Sequence, residues 1–170
     1  LAPITGWHDL IHDTKRKIAD SIQVSEIRRI VRGLPAALRD EFDDETLQDA
    51  LAEMLACFPV YRSYLPAGRE HLDAAAGEAE VRRPELGDVI EKLVPVLADT
   101  SLEIAWRFQQ TTGPVMAKGV EDTAFYRFTR LGSLTEVGGD PGQFALHVNG
   151  FHAARAAREA SWPHAMTTLS

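Results

Sequence analysis

Several functional classes are excluded by what this sequence lacks. A single cysteine, Cys57, stands among 170 residues. No internal disulfide can form, so the fold must rest on a packed core, as in a reducing compartment, and a cytoplasmic location is expected. No apolar run approaches the roughly eighteen residues that a membrane span needs, and no charged segment followed by an apolar one opens the chain. Basic residues are in deficit, 18 Lys and Arg against 25 Asp and Glu, for a net charge of −7. A phosphate backbone or an anionic lipid surface is poorly matched by that balance. Neither nucleic acid nor a membrane is expected as a partner. Internal repeats and low-complexity tracts are also absent.

What remains is an ordinary globular composition, 45% apolar and 25% charged, sufficient for one domain with its own core. The first residue is Leu1 rather than methionine, and residues 165–170 are apolar and Thr-rich. We expect the chain to be a piece of something larger.

Helical periodicity dominates. Apolar residues from Trp7 through Leu10, Ile11, Ile18, Ile22, Ile27, Ile30 and Val31 to Leu34 recur at mostly three- and four-residue intervals. They predict one long helix over 7–33, closed by a left-handed Gly33 ahead of Pro35. The cleanest stripe is Leu47, Ala50, Leu51, Met54, Leu55 and Phe58, with Asp43 or Asp44 as cap and Pro59 at its end. A third helix is expected over 69–83 and a fourth from Pro84, kinked or ended by Pro95. Thr100 and Glu103 fit a capping box for a fifth helix. Gly113 with Pro114, and then Gly119, should interrupt it before a sixth over 120–131. Gly138 to Gly142 read as a loop, 144–160 as a final helix, and 165–170 as the one strand-like run. The fold class expected is all-α, a multi-helix bundle.

The chemistry-bearing residues are ambiguous one by one. His8 and His12 lie four apart on one helix face, but Asp9 stands where a zinc-hydrolase helix needs glutamate and no third ligand is near. A solvated face is the simpler reading, and neither a metal nor another cofactor is expected. Glu121 and Asp122 are adjacent, and neighbours on a helix diverge by about 100°, too far to flank one scissile bond. In a first turn after Gly119 they would instead complement the helix dipole, with Lys118 pairing to Asp122. Tyr61, Tyr64, Trp106, Phe125 and Tyr126 are enough aromatics for a sugar-stacking platform, although such residues are more often core. The loop at Gly138 lacks phosphate-binding spacing, and Cys57, beside the apolar stripe, reads as an inert buried thiol. From these residues alone, a free-standing acidic helical protein-interaction module stays open as an alternative to any enzyme.

Longer motifs say more. RFQQTTGPVMAKGVEDTAFYR, from Arg107 to Arg127, followed by LTEVGGDP from Leu134 to Pro141, closely resembles the maltooligosyltrehalose synthase family. WPHAMTTLS from Trp162 to Ser170, ACFPVYRSY from Ala56 to Tyr64, and the basic stretch Lys15, Arg16 and Lys17 are similar to the same family. The resemblance implies an α-amylase-like enzyme of trehalose biosynthesis built on a (β/α)8 barrel. Its activity would be an isomerisation, in which the reducing-end α-1,4 bond of a maltooligosaccharide becomes an α,α-1,1 bond. Such retaining chemistry needs a nucleophile, an acid/base and, in this superfamily, a third assisting carboxylate. In the family the first two precede the region matched here and the third follows it in a Thr-His-Asp sequence. By the same resemblance this chain holds no catalytic residue. Residues 1–161 would be a helical insertion subdomain and 162–170 the start of a barrel strand. Lys118, Glu121, Asp122, Tyr126 and Arg127 are the candidate maltooligosaccharide-binding residues, on a wall of the pocket above the barrel. The missing barrel of the same chain would be its partner.

Overall fold

The computed structural model describes residues 6–128, 135–142, 145 and 147–163. The expected strand at 165–170 lies outside them. Among the described residues the chain is all-helical, as the periodicity predicts, and the only pairing of extended backbone is a single antiparallel bridge between Tyr64 and Ala67. The α-helices are α1 (Trp7–Asp20), α2 (Val24–Gly33), α3 (Ala36–Glu41), α4 (Asp44–Cys57), α5 (Arg69–Arg82), α6 (Gly87–Ala98), α7 (Glu103–Met116), α8 (Phe125–Arg127) and α9 (Val148–Ser161). A 3-10 turn at Pro84–Leu86 leads into α6, and a π-helical segment, Ala117–Ala124, joins α7 to α8. No helix among the described residues is long and apolar enough to cross a membrane.

The centre of the bundle is α4, and it forms for the reasons legible in its sequence. Asp43 Oδ1 accepts the Thr46 amide at 2.7 Å, satisfying one of the free amides at the helix start. Leu47, Ala50, Leu51, Met54, Leu55 and Phe58 are all buried. Helices α1, α2, α5, α6 and α7 pack around it. Each large side chain buried there contributes roughly 1.5–3 kcal/mol of hydrophobic stabilisation.

Elsewhere tertiary packing overrides the local signals. The single helix expected over 7–33 is two. Its apolar series slips at Ile22, which is 61% exposed. Helix α1 therefore stops at Asp20, with the Ser21 hydroxyl turned back to the Lys17 carbonyl, and α2 restarts with Ile27, Ile30 and Val31 facing inward. Gly33 does not adopt the left-handed conformation. A Cβ there would meet Ile104 Cγ2 at 2.5 Å, so the glycine serves the approach of α2 to α7. The Thr100–Glu103 capping box does not form. Asp99 captures the amide and hydroxyl of Ser101, and α7 begins without a side-chain cap. Glu103 instead pairs with Arg107 one turn on. Helix α3, only six residues long, has no counterpart in the periodic reading. Pro95 lies inside α6, which continues to Ala98.

The largest departure is at Gly113 and Pro114, where α7 runs on instead of breaking. Proline removes one backbone donor, and the ladder passes into the wider π-helical register at Ala117. The Thr123 hydroxyl donates to the Lys118 carbonyl at 2.7 Å, within that register. Gly119 does not interrupt either. A Cβ on it would lie 2.8 Å from Lys15 Cα and 3.0 Å from Lys15 N, so α1 and the π-helical segment cross backbone against backbone. Regular helix ends at Arg127, short of the expected residue 131. Glu121 and Asp122 thus sit within a continuous helical run, and the helix-dipole explanation of them falls away. Helix α9 begins at Val148 and ends before Trp162 and Pro163, with no residue buried.

Candidate functional site

A small aromatic core divides the motif segment into two faces. Trp7 stacks on Phe125 with ring centroids 5.6 Å apart and planes 7° from parallel, and lies 5.1 Å from Phe128. Val120 and Ala124 complete this cluster. Lys118, Asp122, Tyr126 and Arg127 lie on the exposed side of the segment. Lys118 Nζ donates to Asp122 Oδ2 at 2.5 Å, four residues on, as the spacing suggests. That pair is about half exposed, Tyr126 is 81% exposed, and Arg127 is exposed. Glu121 is half-buried, and its Oε1 is closed to solvent without a hydrogen-bond donor among the described residues. A carboxylate oxygen in that position normally has a partner. The five nominated residues therefore share one segment, four on its outer surface and Glu121 partly turned in.

A separate cleft of about 710 Å³ is lined by none of the five. The motif contributes Met116, Val120 and Phe125 to it, facing Trp7, His8, Ile11, His12 and Lys15 of α1. Cys57 to Tyr61, Glu78 and Arg82 of α5, and the turn at 138–140 close the other sides. His8 and His12 both border it, but His8 is exposed and His12 turns inward to Glu53.

A buried polar frame, missed by the periodic reading, holds the aromatic loop after α4. Lys15 Nζ donates to the Phe58 carbonyl at 2.6 Å, Thr112 Oγ1 to the Tyr61 carbonyl at 2.7 Å, and the Leu65 amide to Gln109 Oε1 at 3.0 Å. Burial pulls the Lys15 ammonium down to about 8, with the Cys57 charge opposing. This frame presents Tyr61 and Tyr64 at the surface, the latter with the Arg62 guanidinium 5.0 Å above its ring. Of the five aromatics nominated for stacking, Phe125 is core while Tyr61, Tyr64, Trp106 and Tyr126 are exposed.

The second missed feature is an ionic network centred on Glu53, 1% exposed in the face of α4 toward α1. His12 Nε2 donates to its Oε1 at 2.7 Å and Arg16 Nη1 to its Oε2 at 2.8 Å. Arg16 also pairs with Asp20 and Asp49, and Asp49 with Arg83 at 2.7 Å. Burial by itself would raise the Glu53 carboxyl, but hydrogen bonds from His12 and Arg16, and their charges, outweigh it and bring the group down to about 2. Cys57 Sγ lies 3.8 Å from Glu53 Oε1. Burial and then the Glu53 charge push its thiol up to about 12, which makes the free thiol a poor nucleophile. A sequence signal did exist, since Glu53 is the one charged residue in the run Leu51 to Cys57, four residues before a cysteine.

No family model matches the chain. Over 161 residues, 95% of its length, the chain is 37% identical to proteins of two Mycobacterium tuberculosis strains that carry the name maltooligosyl trehalose synthase. Among solved structures, maltooligosyltrehalose synthase from Arthrobacter ramosus and a point mutant of it each align with a TM-score of 0.80 and 49% identity over 96% of this chain. The chain spans about a fifth of the length of these relatives, 21% in each case. The resemblance carried by its motifs therefore extends over nearly all of it.

Proposed function

We propose that this chain is the helical part of a maltooligosyltrehalose synthase, the isomerase that converts the reducing-end α-1,4 bond of a maltooligosaccharide into an α,α-1,1 bond in trehalose biosynthesis. The observation that carries this reading is the match to a synthase of known structure at 49% identity and a TM-score of 0.80 over 96% of the chain. In this reading residues 1–161 form a helical insertion in the barrel enzyme and 162–170 open a barrel strand. The barrel is its partner within the same polypeptide. The catalytic carboxylates lie outside the chain, which is inactive alone. The single cysteine accords with a cytoplasmic enzyme, and a neutral glucan needs no basic surface, in accord with the net charge of −7.

The outward face of the motif supplies the sugar contacts. An exposed ion pair contributes little stability, so the Lys118 ammonium and the Asp122 carboxylate can turn from each other to sugar hydroxyls at small cost. Tyr126 offers an aromatic face to the apolar side of a pyranose, Arg127 adds donors, and the half-buried Glu121, whose Oε1 is closed to solvent, would reach a sugar hydroxyl through its other oxygen. The contact between Gly119 and Lys15 anchors the segment, so these groups are presented on a rigid support.

Replacing Lys118 with alanine in the complete enzyme is expected to slow formation of the trehalose-ended product from maltohexaose roughly 10- to 100-fold, the effect of losing one charge-assisted hydrogen bond. The melting temperature should barely move, because the Lys118–Asp122 pair is exposed. Unchanged turnover in the folded variant would remove the residue from the pocket wall.

A further inference from the structure

We propose that His12, Glu53 and Cys57 form a binding site for one soft divalent cation of the zinc type, between α1 and α4 at the edge of the cleft. The inference does not depend on the synthase reading. The three donor atoms all lie within 4.8 Å of one another. They converge on Glu53 Oε1, with His12 Nε2 at 2.7 Å and Cys57 Sγ at 3.8 Å. Glu53 and Cys57 are four residues apart on α4, so their side chains share a face, and His12 meets them from α1. An imidazole nitrogen, a carboxylate oxygen and a sulfur are a donor set that zinc accepts, and three protein ligands leave a fourth position open.

Neighbouring groups hold the donor atoms in place. Arg16 Nη1 holds the outer oxygen of Glu53, Oε2, at 2.8 Å and leaves Oε1 for the cation. His12 Nδ1 lies 3.5 Å from Asp13 Oδ1, a carboxylate placed behind the ligating ring. His12 and Cys57 both line the cleft, which gives a path of entry and space for a water in the fourth position. Lys15 and Arg82 oppose the incoming charge, Glu78 favours it, and the Glu53 carboxylate with a Cys57 thiolate neutralises it. On binding, bonds form from the cation to Nε2, Oε1 and Sγ, and the hydrogen bond between His12 and Glu53 opens. The cation displaces the Nε2 proton, the ring is left neutral with its proton on Nδ1, on the side of Asp13, and the thiol proton leaves to solvent. No electron is transferred.

Because Cys57 is the only cysteine, cobalt(II) is an unambiguous probe. Titrating the metal-free protein with cobalt chloride should produce a near-ultraviolet thiolate-to-cobalt charge-transfer band that saturates at one equivalent and disappears when zinc displaces the cobalt. The band should be lost in Cys57→Ser, whose circular dichroism checks that the helices persist, and His12→Gln should weaken cobalt binding at least about tenfold. Zinc should raise the melting temperature of the wild type and not that of Cys57→Ser. Absence of the band at cobalt concentrations up to about 1 mM, or cobalt affinity unchanged in His12→Gln, would overturn the site.

Discussion

Glu53→Ala is expected to destabilise the fold by about 3–5 kcal/mol, the range for breaking a buried ion pair by removing one partner. The substitution leaves His12 and Arg16 facing a void where a carboxylate accepted from both. Arg16 retains Asp20 and Asp49, so the lower part of that range is the expected outcome. Even so, the loss is a large share of the 5–15 kcal/mol typical of a domain. Acid titration separates charge from packing. The Glu53 carboxyl titrates near 2 in the fold against 4.5 ordinarily. Its lowered value stabilises the fold fully above about pH 4.5, and the contribution fades as pH falls toward 2. Urea unfolding of wild type across that window should therefore show a loss that Glu53→Gln lacks. Parallel curves for the two proteins would mean that the carboxylate is not held by its partners.

Gly119→Ala carries the next largest effect. The added Cβ meets Lys15 Cα and N at 2.8 and 3.0 Å, and backbone atoms cannot swing aside as a side-chain tip can. The π-helical segment must move outward, loosening Val120 and Phe125 from Trp7, at an expected cost of about 1–3 kcal/mol. Gly77→Ala is the internal control, since Gly77 lies inside α5 and a Cβ there would meet no atom of another element within 4 Å. Exchanging glycine for alanine within a helix then stabilises by up to about 1 kcal/mol. Thermal melts of the two variants should shift in opposite directions. A Gly119→Ala melt equal to wild type would show that α1 and the segment do not cross in contact.

The parts of the fold visible in the sequence are those decided locally. The stripe from Leu47 to Phe58 and its Asp43 cap describe α4 because its large apolar side chains share one stripe under a cap it carries itself, although Ala50 to Ala56 are buried all round. The pairing of Lys118 with Asp122 follows from spacing alone, and the motif from Arg107 to Arg127 carried the family resemblance. What escaped was decided by distant residues. Gly113, Pro114 and Gly119 look like punctuation, yet the helical run continues through them because Lys15 of α1 packs directly on Gly119. Glu53 counts as a surface residue in any periodic reading. Its partners come from 41 and 37 residues away, beyond the reach of a helical wheel. The candidate site shows the same split. Its residues were legible as a motif, but which of them point outward depends on the stacking of Trp7 on Phe125, more than a hundred residues apart in the chain.

Whether the outward face of the motif lines a sugar pocket is answered most directly by a structure of the complete enzyme with a maltooligosaccharide bound. Lys118 Nζ and a carboxylate oxygen of Glu121 or Asp122 are expected within about 3.5 Å of sugar hydroxyls. A glucan held in the active site with Lys118, Glu121, Asp122, Tyr126 and Arg127 all beyond contact would contradict the proposed role.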